Sequence, residues 1–454
     1  MCREENIVLI TVDSLRADHL SLYGYKEKTS PTLDRLANEG VVFTEAISNG
    51  SHTMTSFPAI LTSAYGSMYG GCGYLSKERT SIAEVIGKEG YSTAAFHSNP
   101  YLSKACNYDR GFDVFYDSIE NDFSLFKFKS LDKLAKLSGQ RRKATTLLSL
   151  VLKIYSHIQP YRIPYERAEI ITGKAVNWLR ECNNRFFIWI HYMDTHWPWV
   201  PLDFMNGSVS VKEAMWLWWK MLLDPSSLSD EDLEKLIKLY DGEIRHLDHS
   251  IGIFFRSLKK MGLYDNSLIL LTSDHGEEFK EHGDIGHHNL KLYEQLIHVP
   301  LVIKFPTLYG GTVISNLVSL LDIAPTITDW LGISKPEKWI GSSLLPLLAG
   351  ERLERTGVIS EGRIKQGDNM VSYRSKRWKL ILDEERKERE LYDLLSDPKE
   401  TKNLSEIMPD KVEEFEVELS KHLLKTTGSV VSLPKIDHDE RIKDRLKALG
   451  YFTD

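Results

Sequence analysis

Asn6–Val12 reads NIVLITV and runs straight into Asp13, and residues 267–272 read SLILLT and run into Ser273-Asp274-His275-Gly276-Glu277-Glu278. Unbroken apolar, β-branched runs of this kind belong to strands buried on both faces, the condition of a parallel sheet rather than of a half-solvated antiparallel one. Comparable runs occupy residues 186–190, leading into HYMDTH at 191–196, and residues 299–305. Three of the four deliver a polar cluster at their carboxyl ends. Helical patterns fill the intervals at residues 30–39, 81–90 and 230–260, the first with Pro31 just inside a start after Ser30. Strands alternating with helices predict an α/β fold, a mostly parallel sheet with helices on both faces, whose ligands bind beyond the carboxyl ends of the strands.

The rest of the composition narrows the class. The chain has 454 residues, 42% of them apolar and 27% charged, with a net charge of -7. That is a globular protein, and nothing in its charge points to nucleic acid as a partner. After Gly332 the pattern changes to short polar segments, which predicts a large domain over residues 1–340 and a smaller α+β domain over 341–454. Cys2, Cys72, Cys106 and Cys182 lie far apart with no CxxC pair, so reduced structural cysteines are expected. No basic segment or long apolar stretch precedes Ile7, and the expectation from that is a cytoplasmic protein. Two segments could touch a membrane surface or a partner: residues 145–159, after Arg141, Arg142 and Lys143, and residues 214–223, which carry Trp216, Trp218 and Trp219. Packing against the main domain is the expectation for both.

Asp13 and the Asp274-His275 pair each follow a buried strand, so two carboxylates and an imidazole from distant positions converge above one sheet edge. Such a concentration of negative charge suits a divalent cation. A third piece is GSHTMTSFPAILTS at 50–63, polar and turn-like until Pro58 begins what reads as a helix. A hydroxyl just before a helix start loses its proton more easily than a free one, although Thr53, Thr55 and Ser56 could equally be N-caps.

The motifs VDSLRADHLSLYGY, SPTLDRLANEGVVFTEAIS, SFPAILTS, GYSTAAFHSNPYLS, RGFDVF, HYMDTHWPW, TSDHGEEFKEHG, LYEQLIHVPLVI, LLDIAPTITDWLGI and ELYDLLSDPKETKNL resemble, in order and spacing, a sulfatase-family protein of the alkaline phosphatase superfamily. The resemblance covers the chain apart from insertions near 120–165 and 203–230. It implies an alkaline phosphatase-like sheet with a small C-terminal α+β domain, and one divalent ion, calcium, magnesium or manganese with zinc as an alternative. Asp13, Asp274 and His275 match the metal ligands. His196 matches the histidine that bonds the transferred group or leaving oxygen, and Asn99 and Asp194 fall where substrate oxygens are held. His287 or His288 stands where relatives place a group that assists leaving-group departure.

Two departures bear on the chemistry. Ser14 replaces the second Asp of the family's first metal segment, and no cysteine stands where a formylglycine would mature. Counting back from Leu61-Thr62-Ser63 places Thr53 at the nucleophile position, where it would also ligate the metal, and Phe57 where the family's Arg would be. Ser56 is the rival, because Ser56-Phe57-Pro58 mimics the family's nucleophile motif. A threonine nucleophile is similar to that of phosphodiesterases and of lipid-linked phosphoglycerol and phosphoethanolamine transferases in the same superfamily. The expectation is a metal-dependent hydrolase of sulfate or phosphate esters acting through a covalent intermediate on a small-molecule, glycan or lipid-linked substrate. The alternatives are a phosphodiesterase or transferase, and a non-catalytic sulfatase-like binding protein.

Overall fold

The computed structural model describes residues 5–119, 163–200, 202, 207–287, 291–307, 310–363, 369–427 and 440–449. Ten strands precede residue 320: β1 (Asn6–Val12), β2 (Val41–Ile47), β3 (Ser92–Phe96), β4 (Val114–Tyr116), β5 (Phe186–Tyr192), β6 (Ser267–Ser273), β7 (Glu278–Phe279), β8 (Ile285–Gly286), β9 (Leu301–Lys304) and β10 (Thr312–Ser319). Eight form one sheet in the order β10-β2-β9-β6-β1-β5-β3-β4, and β7 and β8 form a separate ribbon. Every pairing in the large sheet is parallel except those of β9, which is antiparallel to both β2 and β6. This explains why the apolar run at 299–305 delivers no polar cluster: its carboxyl end points to the opposite edge.

A continuous apolar run hides which residue faces which way, and the fold resolves it by simple alternation. Val8, Ile10 and Val12 of β1 pack toward helices Pro31–Glu39, Ala168–Glu181 and Asp230–Lys260. Ile7 and Leu9 pack toward helices Thr53–Thr62, Ile82–Lys88 and Ile323–Leu331 on the other face. The sheet is thus the middle of three layers, with two cores of comparable extent. Trp189 is fully buried in the second, and its indole N–H donates to Thr11 Oγ1 at 2.9 Å. Trp189→Ala is expected to cost about 3–5 kcal/mol of unfolding free energy in a denaturant titration, through the cavity that it leaves.

Trp339, Leu344 and Leu347 still belong to this second core. A four-stranded antiparallel sheet follows, in the order β11 (Val358–Arg363), β12 (Met370–Arg374), β13 (Trp378–Asp383) and β14 (Glu388–Asp393). Val371, Tyr373, Leu380 and Leu391 on one face of it bury Val412, Phe415 and Leu419 of helix Pro409–Thr427. Of the two aromatic or basic insertions, residues 145–159 lie outside the described residues. In the other, helix Val211–Leu223 packs Ala214, Leu217 and Met221 into the first core, while Trp216 stays 44% exposed. Among the described residues no helix is long and apolar enough to cross a membrane. Cys72, Cys106 and Cys182 are free thiols.

Candidate active site

Register brings the two key carboxylates together. Val12 of β1 pairs with Ser273 of β6 on one side and Tyr192 of β5 on the other, so Asp13 and Asp274 leave the sheet side by side, one residue past the last paired position. The Asp13 amide donates to Tyr192 O at 2.8 Å and the Asp274 amide to Val12 O at 3.2 Å, which extends the ladder up to the site itself. Ser14, just beyond, has φ +58°, an uncommon left-handed conformation for a non-glycine residue, held by two bonds into the site. Its hydroxyl donates to Asp13 Oδ1 at 2.8 Å and its amide to Asp274 Oδ1 at 3.3 Å. At the position of the missing second Asp, Ser14 therefore orients the two carboxylates that remain.

β2 runs parallel to β6, so the chain leaving it reaches the same edge. Ser48 anchors that return, donating to the carbonyls of Asp274 and Gly50. At Gly50 an added Cβ would sit 2.1 Å from Thr55 Oγ1, so the turn needs glycine there. The helix expected to begin near Pro58 starts earlier, at Thr53, and runs through Pro58 to Thr62. Its N-cap is His52, whose Nδ1 accepts from the amides of Met54 at 3.1 Å and Thr55 at 3.4 Å. An imidazole is an unusual cap, which is why the sequence pattern pointed past it. The Thr53 hydroxyl lies 3.0 Å from Asp274 Oδ2 and 3.3 Å from Asp13 Oδ2. The Ser56 hydroxyl instead bonds back along its own helix, to His52 O at 3.1 Å and Thr53 O at 3.3 Å.

Asp13, Asp274 and His275 can each offer one ligand atom with all three atoms within 4.8 Å of one another, and all three residues are fully buried. His275 Nδ1 lies 2.9 Å from Gly276 O, a carbonyl that can only accept, so Nδ1 carries the proton. Nε2 then presents a lone pair, and it is buried with no hydrogen-bond partner, 3.5 Å from Asp274 Oδ2 and 3.7 Å from Asp13 Oδ1. An imidazole oriented by a backbone carbonyl and aimed between two carboxylates is a donor set that fits a divalent cation.

The electrostatics agree. Burial lowers the His275 pKa to about 4, keeping the ring neutral and able to ligate. Burial and the neighbouring Asp13 charge push Asp274 well above the usual carboxylate range. Burial would raise Asp13 as well, but the facing imidazoles of His196, His191 and His275 outweigh it and hold Asp13 below its ordinary value. A proton and a cation must then compete for Asp274. Cation affinity is expected to fall about tenfold for each pH unit below the Asp274 pKa, as one bound proton is displaced. Titration calorimetry with manganese at several pH values checks this, and a pH-independent affinity from pH 8 to 5 would contradict it.

The remaining candidates divide. His196 is fully buried, its Nδ1 facing Trp197 O at 2.5 Å and its ring centroid 5.0 Å from that of His287. The His287 ring is 4.5 Å from His275, and its Nδ1 is 3.2 Å from Glu277 Oε2. His288 lies outside the described residues. Asn99 follows β3 and donates to Asp13 Oδ2 at 2.9 Å, spending its N–H on a metal-ligand candidate. Asp194 has other partners: the Ala168 amide at 3.2 Å, Arg167 Nε at 3.3 Å and His246 Nε2 at 3.6 Å. With its described contacts directed to that network, Asp194 is not brought to the Asp13–Asp274 cluster.

Four groups in the site went unnoticed in the sequence. His52 caps the helix that starts at Thr53. His191, within the quoted HYMDTH motif, stands 3.5 Å from Asp13 Oδ2. Glu277, within DHGEE, is fully buried beside His287. Arg16, within VDSLR, braces the same loop by donating to Glu277 O at 2.9 Å and to Glu281 at 2.6 Å. Each sat inside a motif already singled out, but only register and loop path show which members of a motif turn inward.

Comparison with known proteins places this geometry in a lineage. A family model described as Sulfatase matches residues 5–333, and one described as N-sulphoglucosamine sulphohydrolase, C-terminal, matches residues 281–428. An arylsulfatase of Clostridium perfringens is 27% identical over 435 residues, covering 88% of this chain and 90% of its own. Human arylsulfatase K is 24% identical, covering 95% of this chain and 83% of its own. The N-acetylglucosamine-6-O-sulfatase of Bacteroides thetaiotaomicron is 23% identical, covering 77% of this chain and 72% of its own. In fold, the chain is similar to the phosphonate monoester hydrolase of Agrobacterium radiobacter, at TM-score 0.71 and 20% identity, with 94% of this chain and 96% of that chain covered. It is equally similar to a putative sulfatase of B. thetaiotaomicron, at TM-score 0.71 and 18% identity, with 97% of this chain and 96% of that chain covered. Since the matched stretch takes in β1 to β10 and every residue of the buried cluster, the chain belongs to the sulfatase family.

Proposed function

We propose that this protein is a metal-dependent hydrolase of sulfate or phosphate esters that uses Thr53 as its nucleophile. The observation that carries the reading is the contact of the Thr53 hydroxyl with both Asp13 and Asp274, beside an imidazole nitrogen that has no other partner. A divalent cation held by Asp13, Asp274 and His275 would supply the positive charge that favours a threonine alkoxide and offsets charge on the ester oxygens. Thr53, at the first turn of its helix, passes its proton to Asp274 Oδ2 at 3.0 Å and attacks the sulfur or phosphorus in line. The bond to the leaving oxygen breaks as a covalent threonyl ester forms, and water then hydrolyses that ester and restores the hydroxyl. His52 holds the helix start in register through the Met54 and Thr55 amides.

The leaving oxygen needs a proton, and the two inward histidines are unequal in supplying it. His196 gives Nδ1–H to Trp197 O and, with its pKa lowered by burial, has only a lone pair at Nε2. His287 faces Glu277, whose carboxyl is pushed well above its ordinary range by burial and by Asp13. A protonated Glu277 can donate to Nδ1 and leave Nε2–H on His287 for the departing oxygen. His287→Gln is therefore expected to lower kcat by about 10²-fold or more, with a larger loss for poor leaving groups than for good ones. Equal losses across a leaving-group series would remove His287 from that role.

The reaction is sulfuryl or phosphoryl transfer, and the threonine favours the phosphorus side as a second reading. The names of the relatives point to sulfate esters, and those of the structural neighbours include phosphonate hydrolases. A panel of aryl sulfate, phosphate monoester, phosphodiester and phosphonate ester, each with calcium, magnesium, manganese and zinc, separates them. Turnover of none by a metal-loaded protein would favour the non-catalytic binding protein instead.

A further inference from the structure

Both family models end by residue 428, yet the chain continues and returns to the large sheet's edge as helix Glu440–Ala448. Its docking is specific. Ile442 and Leu446 are buried against Tyr101, with Met54 and Ile119 packed around them. Leu449, just past the helix, is buried with Tyr165 and Met193. Arg445 donates to Ser118 Oγ at 3.0 Å and to Ser118 O at 2.8 Å.

The contacted residues share a property that their sequence positions do not suggest. Met54 follows Thr53 directly. Tyr101 gives its amide to the Asn99 side chain, whose other end holds Asp13 Oδ2. Tyr165 donates to His196 O at 3.0 Å, and Met193 O accepts the His196 amide at 2.9 Å. The helix and Leu449 together therefore touch the neighbours of all three segments that carry Thr53, Asn99 and His196. We infer that this C-terminal segment is a positioning element of the active site that holds those three segments in mutual register. The inference rests on the proposed assignment of Thr53, Asn99 and His196 to the catalytic centre.

The energetics suit a positioning role better than a global one. Only three apolar side chains are buried, on an element that no strand of the large sheet needs. Undocking it leaves both cores intact and loosens loops where a displacement of about 1 Å can cost about a hundredfold in rate.

The test uses the full chain with Ile442→Asp and Leu446→Asp together, and Leu446→Met as the volume-conserving counterpart. In the double variant kcat is expected to fall about tenfold or more with KM changing less, and amide exchange to accelerate in residues 53–56 and 99–103 but not in β1 or β6. Leu446→Met should retain wild-type kcat. If the double variant does not fold, Leu446→Ala serves, with the same signs and smaller size. Wild-type kcat in a variant whose residues 440–449 exchange freely overturns the inference. That result alongside an inactive Thr53→Ala rejects the helix's role alone, whereas full activity of Thr53→Ala rejects the proposed site itself.

Discussion

Thr53→Ala is expected to lower kcat by about 10³-fold or more on every ester the enzyme turns over, while metal content stays at the wild-type level. The two carboxylates and the imidazole of the cluster are untouched by that change, and the lost methyl and hydroxyl sit at the first turn of a helix whose cap is supplied by His52. Stability should therefore move little. Ser56→Ala, three residues on, is the internal control. Its hydroxyl bonds only to carbonyls of its own helix, so at most about 1 kcal/mol of stability and little activity are at stake. Inactivation by Ser56→Ala with a fully active Thr53→Ala would invert the assignment and restore a sulfatase-like register of the motif.

Asp274→Ala is the second large effect, and its sign on stability separates it from ordinary damage. Activity and bound metal should both be lost, with elemental analysis showing a small fraction of the wild-type metal content. The metal-free variant should nevertheless be at least as stable at pH 7 as the metal-free wild type. Asp274 carries a pKa raised by burial and by Asp13, so ionising it in the fold costs free energy that the unfolded chain does not pay. A raised native pKa means stability is greatest below the ordinary carboxylate pKa and declines as pH rises through the folded value, and removing the group removes that decline. Full metal content in Asp274→Ala would move the cation elsewhere.

Much of this was legible in the chain because burial on both faces leaves a visible mark. The runs at β1, β5 and β6 identified the central strands, and their polar followers Asp13, His196 and the Asp274-His275 pair all lie at one sheet edge. Strand direction was not legible. β9 reads like its neighbours and runs the other way, because an apolar run carries no sign of orientation. Nor was the helix start at Thr53, since a histidine cap leaves no Ser, Thr, Asp or Asn signal and Pro58 reads as a beginning when it lies mid-helix. Asp194 shows the limit of motif reading: one residue from Thr195 and two from His196, its carboxylate meets Arg167 and His246 instead. The threonine register itself came from counting along a resemblance, and the contacts of Thr53 with Asp13 and Asp274 are what support it physically.

A covalent intermediate on Thr53 is the species that distinguishes this mechanism, and peptide mass spectrometry of enzyme quenched with acid during turnover of its best ester detects it. The expected result is a sulfuryl or phosphoryl adduct on the peptide carrying Thr53, with fragment ions assigning it to that side chain and an unmodified threonine before substrate is added. An adduct on Ser56, or turnover with no adduct on any residue of 50–63, would contradict it.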